Sequence, residues 1–252
     1  MHVALWDIPP ADCWAAAADH LSVELARQPG RLLRHGYADL ALVPTIEVLR
    51  NTDSYCVLPG VAMSTWSYPF ARLALPNGLH HVPSIALPSE SDFEALVARI
   101  VLKEHYGIEP DFQLGGSCEA RLLLRRAAAA WEGQALDLGQ EWFECAGYPM
   151  VWALWVMRPS EATPAAVDML ESLVIEAEKN ALVRAHADGV ASVLRKFWRE
   201  DLRFRLDALA VASLTKLREY FWYYNVTPEV HDLTVYEQPD TEDVHWYESF
   251  QR

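Results

Sequence analysis

Hydroxyl groups just ahead of a helix are the first residues of this chain that could bind a ligand. Ser89 and Ser91 stand between an apolar segment at 83–87 and a stretch at 93–105 whose apolar residues follow helical spacing. The free N–H groups in the first turn of such a helix bind anionic or polar groups. The pattern therefore predicts a strand, a loop and a helix, with a ligand carboxylate or carbonyl held at the loop.

A structural role competes with ligand binding at this loop. Ser91 and Glu94 have the spacing of a capping box, in which each side chain bonds the backbone N–H of the other residue. Glu90, Asp92 and Glu94 also place three carboxylates at the helix start, where they would repel an anionic ligand. Ser91 could therefore cap the helix or contact a ligand, and Ser89, outside the capping box, is the better candidate contact.

Further hydroxyls lie elsewhere in the chain. Thr45 follows an apolar segment at 39–43 and could cap the next helix or contact a ligand. Ser64, Thr65 and Ser67 interrupt an extended apolar segment, where a buried hydroxyl needs a hydrogen-bonding partner. We include Thr45, Ser64 and Thr65 among the candidate substrate-binding residues.

A pair of arginines is the remaining candidate. Arg125 and Arg126 follow an apolar strand at 121–124 and could bring positive charge to a ligand, although a salt bridge or a solvated loop would also explain them. The chain has no nucleophile elbow, phosphate-binding loop or dinucleotide glycine motif. The histidines are scattered apart from adjacent His80 and His81, and the four cysteines form no CxxC. We therefore predict neither a metal nor a cofactor and assign no catalytic residue.

Composition narrows the class of protein. The chain has 252 residues, of which 52% are apolar and 22% charged, as expected of a soluble globular protein with one large core or two small ones. A net charge of −14 without a Lys/Arg-rich run argues against nucleic acid as a partner. With neither a signal-peptide pattern nor the ~20 consecutive apolar residues of a membrane span, we expect a cytoplasmic protein that binds a small molecule. It would be a monomer or a homodimer.

The order of the elements predicts two lobes. Apolar and helical segments alternate through residues 1–50, which predicts a mostly parallel sheet. An extended segment at 55–75 predicts a crossover to a second lobe, and an apolar run at 148–157 predicts the return, with a ligand cleft between the lobes. Helical patterns follow, and Thr163 with Pro164 predicts the start of the first of these helices. The predicted boundaries are 1–68 plus 158–225 for lobe 1, 69–157 for lobe 2 and 226–252 for an acidic tail.

Two local expectations accompany this division. Residues 134–145 have a helical pattern in the second lobe. Phe197 and Trp198 belong to a later helical segment, at about 190–199, whose aromatic rings we expect to pack on the first lobe.

Several sequence runs resemble one known family. The runs at 36–50 (GYADLALVPTIEVLR) and 100–111 (IVLKEHYGIEPD) look like chorismate dehydratase of the futalosine route to menaquinone. The run at 197–206 (FWREDLRFRL) is similar to that family's last helical signature, and a spaced set also matches: Asp137, Leu138, Gly139, Trp142, Gly147, Pro149, Val151, Ala153 and Trp155. The resemblance covers most of residues 1–225. It implies an α/β, two-lobed periplasmic-binding-protein-like fold of type II with a helical C-terminal segment.

The resemblance also implies a reaction. Members remove water from chorismate to give a carboxyvinyloxybenzoate, without a metal or an organic cofactor. Aromatisation drives such an elimination, so the protein mainly positions a dicarboxylate and helps the hydroxyl to leave. Thr45, Ser64, Thr65 and Ser89 fall where the family places polar cleft residues.

The chain departs from the family at three places. An Asn-Thr pair of the first loop is replaced by residues 9–11 (PPA), an Arg-Thr-Ser run by residues 92–94 (DFE), and a Gly-Asp pair by residues 125–126 (RR). Two hypotheses follow. The protein is a lyase acting on chorismate or a close relative, with Arg125 or Arg126 restoring the lost positive charge, or it is an inactive paralogue that serves as a cytosolic binding or regulatory protein.

Overall fold

Eleven strands and nine α-helices are found in the described part of the chain. The computed structural model describes residues 1–79, 82–89, 91–116, 118–230 and 232–237. The strands are β1 (His2–Trp6), β2 (Ser22–Ala26), β3 (Leu40–Pro44), β4 (Cys56–Thr65), β5 (Ala71–Ala74), β6 (Ser84–Leu87), β7 (Asp111–Leu114), β8 (Ala120–Leu124), β9 (Ala135–Asp137), β10 (Met150–Met157) and β11 (Leu202–Arg205). The helices are α1 (Ala11–Ala17), α2 (Pro29–Arg34), α3 (Thr45–Arg50), α4 (Asp92–Glu104), α5 (Arg125–Ala129), α6 (Leu138–Ala146), α7 (Pro164–His186), α8 (Ser192–Lys196) and α9 (Ala208–Tyr223). A π-helical turn, Phe197–Asp201, follows α8.

The first compact unit consists of Met1–Ser64, Val151–Ala187 and Arg203–Arg252. Its sheet has the order β11-β4-β10-β3-β1-β2, in which β1 pairs in parallel with β2 and β3, while β10 runs antiparallel to β3. All residues of β3 and β10 are buried, as expected of strands covered on both faces. Helix α7 begins where the sequence predicts, because Thr163 accepts a hydrogen bond from the N–H of Ala166 and Pro164 occupies the first turn.

The second compact unit consists of Thr65–Met150 and Asp188–Leu202. Its sheet has the order β7-β6-β8-β5-β9, with β6 parallel to β7 and β8, and β5 antiparallel to β8 and β9. The carboxyl ends of β6, β7, β8 and β9 therefore share one edge of the sheet with the amino end of β5. The predicted apolar stripe of α4 is buried: Phe93, Leu96, Val97, Ile100 and Val101.

Two local expectations were wrong. The helix expected from residue 134 begins at Leu138, because Ala135–Asp137 pairs with β5 as a short strand. Phe197 and Trp198, which we expected to pack on the first lobe, belong to the second unit. Their rings lie 5.2 and 5.9 Å from that of Phe70, within the second unit, and helical spacing alone could not identify this partner.

The C-terminal region is described only in part. Residues 234–236 run along β4, where the N–H of Val57 donates to the carbonyl of Thr234 and the N–H of Tyr236 donates to the carbonyl of Val57. Residues 231 and 238–252 of the predicted acidic tail, the pair His80 and His81, and Glu90 lie outside the described residues. No helix in the ranges given above combines the length and hydropathy that crossing a membrane requires.

Candidate functional site

Chemically active side chains gather at one edge of the second unit's sheet. The loop after β6 leads into α4, Arg125 follows β8 directly, and the segment containing Tyr68 leads into β5. The antiparallel register, with Ala71 opposite Leu124, brings the start of β5 to the end of β8. We call Tyr68, Ser91, Glu94 and Arg125 the edge site.

Arg125 has an unusual backbone conformation. Its φ angle is 54°, in the left-handed region that favours glycine, and its N–H donates to the carbonyl of Phe70 at 2.6 Å. A non-glycine residue held there costs about 1–2 kcal/mol. The chain therefore accepts backbone strain at a position that carries an arginine. Such strain is typical of functional positions.

Glu94 is a buried acid beside this arginine. Only 6% of the residue is exposed, and burial raises the pKa of its carboxyl group from 4.5 to about 7. A hydrogen bond with its own backbone N–H and the positive charge of Arg125 both lower this pKa, but by less than burial raises it. Near neutral pH, Glu94 is therefore partly protonated, and it can hold or donate a proton.

Asp92 and Glu94 would repel an anionic ligand less than two buried, fully charged carboxylates would. Asp92 is exposed to solvent, which screens its charge, and Glu94 is partly neutral near pH 7. The positive charge of Arg125 also acts on Glu94 and on Tyr68, because it lowers the pKa of both groups. The edge site thus combines Arg125, which is always positively charged, with Glu94, whose carboxyl group can be neutral or negative near pH 7.

The capping box that Ser91 and Glu94 predict is not formed. The Ser91 hydroxyl donates to the carbonyl of Pro88 at 2.7 Å, and it makes no capping bond to α4 among the described residues. Capping side chains usually stand on extended backbone, whereas Ser91 has φ −125° and ψ 20°. Ser91 is buried, and Ser89 is exposed in the turn that precedes it.

The remaining candidates lie outside the edge site. Thr45 is fully buried in the first unit and donates its hydroxyl to the carbonyl of Val151 at 2.8 Å, which gives it a structural role. Ser64 is also fully buried in the first unit, and its hydroxyl has no hydrogen-bond partner among the described residues. Thr65, the next residue, is buried and begins the second unit. An unpaired buried hydroxyl costs about 1–3 kcal/mol, so Ser64 stays a candidate contact.

Sequence reasoning overlooked Tyr68 and the burial of Glu94. Helical phase could have revealed Glu94, because it lies four residues before Ala98 and seven before Val101, both fully buried. Tyr68 is buried in an irregular segment, where no periodic pattern distinguishes it.

A pocket of about 380 Å³ lies elsewhere in the second unit. We call it the α6 pocket, and it is lined by Trp66, Ser67, Gln140, Phe143, Glu144, Lys196 and Asp201. The rings of Trp66 and Phe143 meet edge to face at 5.1 Å. Asp201 accepts hydrogen bonds from the Ser67 hydroxyl at 2.8 Å and from the Lys196 ammonium at 3.1 Å, so its charge is balanced within the pocket.

Comparisons with known proteins agree with this architecture. A family model described as menaquinone biosynthesis matches residues 27–231. Protein AF1704 from Archaeoglobus fulgidus is similar at 15% identity and a TM-score of 0.65, over 90% of this chain and 98% of that one. The alkanesulfonate-binding protein SsuA from Xanthomonas axonopodis pv. citri, bound to MOPS, is similar at 12% identity and a TM-score of 0.65, over 94% and 97%.

The description of a third similar structure names its fold. The Candida albicans CA3427 gene product, described as exhibiting the generic periplasmic binding protein fold, is similar at 14% identity and a TM-score of 0.54, over 97% of this chain and 98% of that one. At these identities the similarity shows the fold alone. The chain has the periplasmic-binding-protein fold, with two mixed α/β sheets, which confirms the predicted fold class.

Proposed function

The chain belongs to the menaquinone biosynthesis family whose model matches residues 27–231, and we propose that it removes water from chorismate or a close relative. The observation that carries this proposal is Arg125, held at φ 54° beside the buried acid Glu94. The arginine binds a carboxylate of the ligand, and the acid assists departure of the hydroxyl. Ser89 and Ser91 are the proposed polar contacts of the adjoining loop.

Arg125 suits the binding of a carboxylate. A guanidinium group donates two parallel hydrogen bonds to a carboxylate and remains charged at every physiological pH. The related sequences have an arginine at the helix start, where this chain has Asp92. In our proposal Arg125 supplies that positive charge from the neighbouring strand end.

Glu94 suits the assistance of a leaving hydroxyl. A general acid works best when its pKa lies near the working pH, and the pKa of Glu94 is about 7. Protonated Glu94 gives its proton to the hydroxyl, and the C–O bond breaks with its electron pair remaining on the water that forms. The neighbouring ring carbon loses a proton, which restores protonated Glu94, and the ring becomes aromatic. The net products are one aromatic dicarboxylate and one water.

Two variants of adjacent arginines test the proposal. Arg125→Gly removes the guanidinium and relieves the backbone strain, so it should weaken chorismate binding about 10- to 100-fold, the worth of a charge-assisted hydrogen bond. Arg126→Ala removes an equal charge from the neighbouring exposed residue, and its affinity for chorismate should stay within about twofold of the wild-type affinity. Binding is measured by thermal shift with chorismate, and turnover by the absorbance of the aromatic product.

The outcomes separate the two hypotheses of function. Chorismate binding and product formation, both lost in Arg125→Gly, support the lyase. Binding of chorismate without product identifies a binding protein, and absence of any thermal shift with the wild type rejects chorismate as the ligand. Because glycine suits φ 54°, the unliganded variant should unfold within about 1 kcal/mol of the wild type, which excludes misfolding as the cause.

A further inference from the structure

Three metal-ligating side chains meet where the end of α4 packs on α6, within the second unit. One ligand atom from each of His105, Glu141 and Glu144 lies within 4.8 Å of the others, and His105 Nε2 is 3.8 Å from Glu144 Oε2. We propose that His105, Glu141 and Glu144 bind a divalent transition metal, with Zn²⁺ as the preferred ion. The proposal is independent of the reaction assigned above.

Rigid elements hold the three ligands. Glu141 and Glu144 are three residues apart on α6 and so project from one face of that helix. His105 directly follows the last residue of α4, and α4 packs against α6. The sequence predicted no metal because its histidines are scattered, and His105 gains two carboxylate neighbours only through this packing.

Hydrogen bonds outside the cluster orient its two carboxylates. The Tyr106 hydroxyl donates to Glu141 Oε2 at 2.6 Å, and the Gln140 amide donates to Glu144 Oε1 at 3.0 Å. Glu144 Oε2, which faces His105 Nε2, is not the oxygen that accepts from Gln140. Such outer partners commonly fix metal ligands, and their loss weakens metal binding about 10- to 100-fold.

The burial of Glu141 favours a cation as its neighbour. Glu141 is 7% exposed, and a ligand atom of Glu144 lies within 4.8 Å of one of its own. A bound cation would relieve both the desolvation of Glu141 and its repulsion from Glu144.

The donor set selects among metals. One imidazole nitrogen with two carboxylates suits zinc and its neighbours, whereas Mg²⁺ and Ca²⁺ prefer oxygen ligands throughout. Ligand atoms around tetrahedral zinc stand about 3.4 Å apart, so separations of up to 4.8 Å need to close by at most about 1.4 Å. Glu144 also lines the α6 pocket, which gives the ion an entry path and leaves room for water in the fourth position.

Metal titration of the whole protein tests the site. Chelator-treated wild type should bind one equivalent of Zn²⁺ by calorimetry and give the visible absorption bands of tetrahedral Co²⁺. His105→Ala and Glu144→Gln should each weaken zinc binding at least tenfold, and Tyr106→Phe should weaken it about tenfold with unchanged stoichiometry. His35→Ala is the matched control, because it removes an exposed histidine from the first unit.

Zinc should also raise the unfolding temperature of the wild type but not that of His105→Ala. Equal zinc affinity in the wild type, His105→Ala and Glu144→Gln would overturn the proposal, as would a loss confined to His35→Ala. Metal-free His105→Ala should unfold at the wild-type temperature, so that weaker binding reflects the lost ligand. No chorismate is present in these titrations, and their failure leaves the proposed reaction untouched.

Discussion

Glu94 is a residue whose titration should be visible in the stability of the protein. Its carboxyl pKa is about 7 in the folded state and about 4.5 in the unfolded chain, so folding favours the protonated form. This contribution is fully present below about pH 4.5 and is lost as pH rises through 7. The difference of pKa corresponds to about 3 kcal/mol.

Glu94→Gln should therefore remove one component of the pH dependence. The variant replaces a carboxyl group by a neutral amide of the same size. As pH rises from about 5 to about 8, the free energy of unfolding of the variant should therefore increase by about 2–3 kcal/mol relative to that of the wild type. Urea unfolding of both proteins at the two pH values measures this difference. Asp92→Asn, which changes an exposed acid two residues away, should leave the pH dependence as it is. A constant difference between wild type and Glu94→Gln would mean that Glu94 is charged throughout.

The limits of sequence reasoning at this scale are set by backbone geometry. The spacing of Ser91 and Glu94 predicted a capping box, but the capping bond depends on the dihedral angles of Ser91, which no spacing reveals. The sequence did identify Arg125 as a possible cation at the end of β8. Its left-handed φ follows from the turn after that strand, and only the resemblance to a family with glycine there could indicate it.

At the scale of elements, Asp137 joins α6 to the segment before β5. Its Oδ1 atom accepts from the N–H groups of Tyr68, Gly139 and Gln140 at 2.5, 3.0 and 3.1 Å. Asp137→Ala leaves these donors without their acceptor and should lower the free energy of unfolding by about 1–3 kcal/mol. Asp137→Asn keeps an oxygen acceptor, so its free energy of unfolding should fall by less than half as much as that of Asp137→Ala. Urea denaturation of the three proteins provides the measurement, and equal losses in both variants would show that the charge of Asp137 matters more than its acceptor.

Helices and strands could be predicted where the sequence pattern that indicates them lies within the element itself. Thr163 and Pro164 marked the start of α7, and the apolar stripe marked the buried face of α4. Strand β9 has three residues, too few for a periodic pattern, and it exists because β5 lies beside it. The sequence therefore indicated the long elements and missed a short one that depends on a distant strand.

At the scale of the whole molecule, the crossover predicted at 55–75 and the return predicted at 148–157 indicated two lobes. The structure assigns residues 188–202 to the second unit, although the 37 residues 151–187 separate them from Met150. Packing of Phe197 and Trp198 on Phe70 accounts for that assignment. Contacts so distant in sequence leave no local pattern, so composition and periodicity could predict two lobes without showing which segments each contains.

The excess of acidic residues makes the stability of the whole molecule depend on salt. The chain has 35 Asp and Glu against 21 Lys and Arg, and the resulting self-repulsion disfavours the compact state. Many described ion pairs are exposed, such as Lys216 with Glu219 and Lys179 with Glu176, and pairs of that kind contribute little. Screening should therefore stabilise the fold more than it weakens these pairs.

Raising NaCl from about 10 mM to about 200 mM near pH 8 should increase the unfolding temperature by about 2–4 °C, the equivalent of about 1 kcal/mol for a chain of this size. Differential scanning calorimetry measures the shift. The same increase in salt near pH 5 serves as the control, because protonated histidines and carboxylates reduce the net charge there and the shift should largely vanish. A fall in unfolding temperature with salt near pH 8 would show that attractive ion pairs outweigh the general repulsion.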